Sequence, residues 1–181
     1  MRFWKQCAGL LCVAVLLGRA EIIDRIAIIV DRQAIKDSDI TEEIRVTSFL
    51  NKDKVDLSLA ARKKSASRLI DQAILRKEMD VGNFVTSDEE EAARLLDQLR
   101  RGYPSTAAYQ QALKSYEITE EQLKDRLSWQ TQVLQFIKLR FGDLDAPSGQ
   151  TVSVDVNKQF FAWLDETRKE AHIVYKEENL K

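Results

Sequence analysis

The sequence predicts a mainly α-helical domain that carries a small β-sheet, and three observations lead there. Between Asp37 and Glu170 apolar residues mostly recur every three or four positions, the period of a half-buried helix. Two stretches alternate instead: "EIIDRIAIIVDRQAIKDSDI" from Glu21 to Ile40, and "HIVYK" near the C-terminus. Alternation is the strand period, so an N-terminal hairpin and a C-terminal strand are expected to form the sheet. The chain has only two prolines, Pro104 and Pro147, so few helices are forced to break.

The first twenty residues set the expected compartment. "MRFWKQCAGLLCVAVLLGRA" places Arg2 and Lys5 ahead of an apolar run from Cys7 to Leu17, with small Gly18 and Ala20 before a cut. This is the pattern of a cleavable signal peptide. The run is far shorter than the roughly 20 residues a membrane span needs. Neither Cys7 nor Cys12 follows a small residue, so neither reads as a lipid site. Cleavage after Ala20 would leave 161 of the 181 residues, remove both cysteines, and take 28 basic residues to 25 against 29 acidic ones. The net charge then moves from −1 to −4. Such a chain has no disulfide or thiolate chemistry, and it lacks the basic stripe of a nucleic-acid binder.

Each helix has a reason. "DSDITEEIRVTSFL" offers Asp37, Ser38 or Asp39 as N-cap, with Ile44 and Phe49 on an apolar side. From Leu57 to Met79, Ala66, Leu69, Ile70, Ala73 and Ile74 form a stripe, and "DVGNF" ends it. "VTSDEEEAARLLDQLRRGY" opens with Thr86 or Ser87 as cap, and the acids at 88–91 suit a helix start better than a calcium loop, whose alternating spacing they lack. "STAAYQQALKSYEI" follows Pro104 with Ala108, Tyr109, Leu113 and Tyr116 at helical spacing. "TEEQLKDRLSWQTQVLQFIKLRF" opens on a capping box, Thr119 to Gln122. It places Leu123, Leu127, Leu134 and Phe141 on one side, with Trp129, Val133, Phe136 and Ile137 beside them. Residues 142–157 read as a linker with an extended piece at Val152 to Val156. Residues 158–181 read as a helix bearing Phe160, Phe161, Trp163 and Leu164, then the last strand.

The chemistry-bearing motifs are few. His172 is the single histidine and lies in the terminal strand, with no recognisable triad partner. No H-E-x-x-H, P-loop or G-x-G-x-x-G occurs. No catalytic residue, metal site or cofactor is expected, and an enzyme is not predicted.

The order of these pieces resembles the SurA-type periplasmic chaperones, the group that includes the parvulin-type foldases of the bacterial envelope. The resemblance rests on Ser38-Asp39-Ile40 stepping into the first helix, on Leu69, Ile70, Asp71, Ile74, Leu75 and Met79 in the second, and on "FAWLDETRKEAHIVY" returning at the end. It covers nearly all of the chain after Ala20, and its motifs are structural. It implies a SurA N-terminal-like helical domain over 21–141, completed by 158–181. The family's parvulin insertions, on the order of 90 to 100 residues each, have no room in 142–157.

The resemblance therefore implies an ATP-independent holdase of the periplasm, without a prolyl isomerase domain, that binds unfolded outer-membrane or secreted proteins through apolar surface. Tyr103, Tyr109, Trp129 and Phe136 are the candidate client-binding residues. Ordinary helical spacing favours Trp129 and Phe136 as core, and Tyr103, beside Gly102 and Pro104, is the residue most expected at the surface. Phe160, Phe161 and Trp163 are expected to staple the last helix to the first ones. Two alternatives stand beside this reading: a scaffold that binds one folded envelope partner, or itself as a homodimer by exchange of terminal elements, and an isomerase-related protein with residual activity.

Overall fold

Asp31 sets the first reversal of the chain. Its φ of 52° lies in the left-handed region, which aspartate tolerates better than most side chains. Val30 pairs with Gln33 across it, so Asp31 and Arg32 alone make the turn and Gln33 already belongs to the second strand. The structure, a computed structural model, describes residues 24–84, 89–142 and 154–181. The expected leader at 1–20 and the expected caps Thr86 and Ser87 lie outside those residues.

Strands β1 (Ile26–Val30) and β2 (Gln33–Lys36) form an antiparallel hairpin with a bulge between Ile26 and Ile28. Strand β3 (Ile173–Tyr175) pairs antiparallel with the other edge of β1, matching Val30 with Ile173 and Ile28 with Tyr175. The order is β2-β1-β3. The non-local pairing expected of "HIVYK" is therefore present, and the two ends of the chain close one sheet.

His172 contributes its main chain to that closure while its ring is exposed. Its carbonyl accepts from the Asp31 N–H at 2.8 Å, and its own N–H donates to Asp31 Oδ1 at 3.0 Å. Lys77 Nζ donates to Asp31 Oδ2 at 2.8 Å. The Lys77 bond first, and the His172 N–H second, hold the Asp31 carboxyl below its ordinary value of 3.8. A depressed carboxylate stabilises the fold fully above the unfolded value and loses that contribution as pH falls through the folded one. Asp31→Asn keeps the turn but not the charge. It is expected to cost about 0.5–1 kcal/mol at neutral pH, with the urea midpoints of variant and parent converging as pH falls below the ordinary value of 3.8 and through the lower folded one.

Among the described residues six helices lie between the hairpin and β3. Helix α1 (Asp37–Asn51) starts from Lys36 rather than from one of the three expected caps. Asp39 instead sits in the first turn and accepts from the Lys36 N–H at 2.8 Å. Asp37 pairs with Arg62, and Ser38 donates to Asp24. Helix α2 (Leu59–Val81) begins two residues later than the spacing suggested, because Ser58 Oγ accepts from the Ala61 N–H at 3.3 Å and caps it. Helix α3 (Glu89–Arg101) carries acids in its first turn and arginines in its last, as the helix dipole favours.

Helices α4 (Thr106–Tyr116) and α5 (Glu120–Phe141) are capped by Ser105 and by the Thr119–Gln122 box. Gly142 ends α5: a Cβ there would lie 2.2 Å from the Lys138 carbonyl oxygen, closer than any side chain allows. Helix α6 (Val154–Glu170) starts four residues before the boundary expected at 158. Within the piece expected to be extended, Val154 to Val156 is helical, and 152–153 lie outside the described residues.

Two apolar clusters fill the interior. The first joins the sheet's Ile28, Val30 and Ile35 to the α2 stripe, to Trp129, Phe136 and Ile137 of α5, and to Phe160 and Leu164 of α6. The second joins Val46 and Phe49 of α1 to Leu96 of α3, to Tyr109 and Leu113 of α4, and to Leu123 and Leu127 of α5. Helices α1 and α5 contribute to both. The expected breadth of the α5 apolar arc thus has a cause, since neighbours cover it on more than one side.

Candidate client-binding surface

Three of the four candidate client-binding side chains are core. Tyr109, Trp129 and Phe136 are 2, 7 and 4 % exposed, so little of them is offered to a client and the reading of Trp129 and Phe136 as packing residues describes them better. Tyr103 is half-buried, stacked on Phe49 at 6.2 Å and edge-on to Tyr109 at 5.4 Å. Burial pushes the Tyr109 hydroxyl up to about 12. The four are not gathered into one site: Tyr103 and Tyr109 belong to the second cluster, Trp129 and Phe136 to the first.

The surface offers other apolar groups in their place. Leu134 and Leu139 on α5 are 50 and 60 % exposed, and Phe161 on α6 is 62 % exposed. Helical spacing places Leu134 in the core stripe and Phe161 in the staple, and the structure corrects both. Consecutive helical residues are about 100° apart, so when Phe160 turns into the core, at 5.8 Å from Phe141, Phe161 is carried outward.

Behind these exposed groups lies a bank of rings. Phe141 and Trp163 contact each other and each contacts Phe136 and Phe160, with centroids 5.5–6.4 Å apart. The Arg140 guanidinium lies over the Trp163 ring at 4.6 Å. Trp163 and Phe160 therefore fasten α6 to α5, as a staple was expected to do, while Phe161, with its ring 5.2 Å from Phe160, is exposed on the outer side.

A second surface feature is a cleft of about 270 Å³ between β2, α1, α2 and α5. Ala34 and Ile35 of β2, Leu69 and Ala73 of α2, and Trp129 line its apolar part. Arg76 lies over the Trp129 ring at 4.2 Å. Glu42, Asp39 and Asp125 stand on the polar side. The cleft walls draw water away from the Glu42 carboxyl, and Asp39, Asp125 and Glu43 add like charge; both effects raise it, against the bond from Gln122.

Below the cleft the buried Glu43 accepts from Arg126 through both carboxylate oxygens, at 2.7 and 3.2 Å, and lies 3.0 Å from Arg68 Nε. None of these groups was singled out from the sequence. Arg126 is 83 positions from Glu43, and no local spacing signals that pair.

Among the described residues no group of three or more histidine, cysteine, aspartate or glutamate side chains is placed to hold a metal ion. No described helix is long and apolar enough to cross a membrane. No protein-family model matches the chain, and a search of curated proteins returns no match.

Proposed function

We propose that this chain is an ATP-independent chaperone of the bacterial periplasm, exported by a leader cleaved after Ala20, which holds unfolded outer-membrane or secreted proteins. The observation that carries the reading is that three large apolar side chains of α5 and α6, Leu134, Leu139 and Phe161, stay exposed on helices that otherwise pack a bank of rings. Large exposed apolar groups on a folded domain mark places where other chains bind. Apolar burial is non-directional, so such a surface accepts many sequences and needs no nucleotide to do so. The resemblance to SurA-type chaperones in the hairpin, the α2 stripe and the closing strand supports the same reading.

The test is suppression of aggregation. The protein purified after export, at stoichiometric excess, should lower the light scattering of two unrelated proteins diluted from denaturant. Leu139→Ser combined with Phe161→Ser should weaken that suppression several-fold. The thermal midpoint should barely move, since exposed substitutions usually change stability by less than about 0.5 kcal/mol. Failure of the parent protein against both clients, with tight binding to one folded envelope protein, would replace the holdase by the scaffold.

A further inference from the structure

We infer that β2 is a docking edge: an extended segment of a client chain adds to the sheet as a fourth strand beside Gln33–Lys36 and lays alternate side chains into the cleft. This rests on the holdase reading and gives it a site and a binding mode. The hydrogen-bond pattern carries it. Asp31 donates to His172, and the Ala27 carbonyl accepts from Lys176, so the odd-numbered residues of β1 face β3. In an antiparallel sheet the directions alternate along a strand. Val30 and Ile28 therefore face β2, bonding Gln33 and Ile35 through the observed register, and the Ala34 N–H and C=O must point away from β1.

Among the described residues no strand stands against them, since β2 is at the edge of the sheet, and Ala34 is exposed. An open edge of this kind is a template for another chain. The neighbouring Lys36 N–H is already taken by Asp39, so the free pair at Ala34 centres the register.

The walls choose the occupant. A guest residue opposite Ile35 or Gln33 shares their face of the sheet and enters the cleft beside the half-buried Leu69 of its apolar wall, so it is apolar. Guest residues opposite Arg32 and Lys36 share the Ala34 face and turn to solvent; the Lys36 ammonium already lies 3.6 Å from Asp24, so Arg32 is the cation that favours an acid there. A second copy of this chain fits badly. A two-fold pairing centred on Ala34 sets Arg32 of each copy opposite Lys36 of the other, and like charges directly opposite are destabilising. The occupant is a foreign strand, apolar on one side and acidic on the other, the alternation found in strands of β-barrel proteins.

Two peptides test this, one alternating valine with glutamate and one alternating valine with lysine, titrated into the protein purified after export. The glutamate peptide should bind more tightly and should slow exchange of the Ala34 amide. Ala34→Pro removes the outward donor without removing a bond to β1 and should weaken binding about tenfold, the worth of one good hydrogen bond. Should that variant fold poorly, Arg32→Glu with Lys36→Glu serves instead and should reverse the peptide preference. Equal binding of both peptides, an unprotected Ala34 amide, or dimerisation lost in Ala34→Pro would overturn the inference. Aggregation suppression that persists undiminished in a folded Ala34→Pro protein would overturn it too, leaving the holdase reading intact; absence of suppression in the parent would defeat that reading instead.

Discussion

Truncation after Ala171 is expected to leave a chain that aggregates rather than a shorter folded domain. The ten missing residues include β3 and Leu180, which is 4 % exposed and sits in the first apolar cluster. With them go Ile173 and Tyr175, packed against the same cluster, and the ion pair of Glu177 with Arg62. Loss of one buried leucine and two half-buried side chains amounts to roughly 5 kcal/mol, comparable to the whole stability of many domains.

The consequence for β1 is as important as the energy. Its backbone would lose the bonds from Asp31 to His172 and from Lys176 to Ala27, leaving a central strand with one bare side. A hydrophobic strand so exposed pairs with other chains. Size-exclusion chromatography with light scattering, alongside urea denaturation, checks the result. A monomeric truncated protein with an unchanged midpoint would show that β3 is dispensable.

That contact was legible in the sequence because so little else could satisfy it. Apart from the hairpin, "HIVYK" was the clearest alternating segment, and two strands with one buried face need a third. The α2 stripe was equally legible: Ala66, Ile70, Ala73 and Ile74 are all buried, since the sheet and the neighbouring helices α1 and α6 cover that side of the helix. Helix α5 was harder to read. Its apolar residues extend around much of the circumference, and periodicity cannot say which of them a neighbour covers, so Leu134 was placed inside and lies outside. Three of the four candidate client residues lie in the core for a related reason. Aromatic residues at helical spacing belong to the core unless something else displaces them, and Tyr109, Trp129 and Phe136 follow that rule. The cleft beside β2 could not be seen at all, because its walls come from four elements between residues 33 and 129.

Glu43→Ala is the single substitution expected to damage the fold most. The Glu43 side chain is 5 % exposed, and it is the anion shared by Arg126, itself 16 % exposed, and Arg68. Thr47 Oγ1 also donates to it at 3.3 Å. Taking charges out of water is costly, and a buried pair recovers that cost only through close geometry. Here the geometry is the two-pronged Arg126 bond, which fixes α5 against α1 at the point where the two apolar clusters meet.

Removing the carboxylate leaves the Arg126 guanidinium in the same place without a counter-ion. That is expected to cost about 3–5 kcal/mol, seen as a fall in the urea midpoint with little change in slope. Arg126→Met should cost less, because Glu43 keeps Arg68. The double variant Glu43→Leu with Arg126→Met should recover much of the loss, since an apolar pair of similar volume can replace a buried ion pair at little cost. If the double variant were as unstable as the sum of the singles, the residues would be acting independently and the pair could not be what holds α1 to α5.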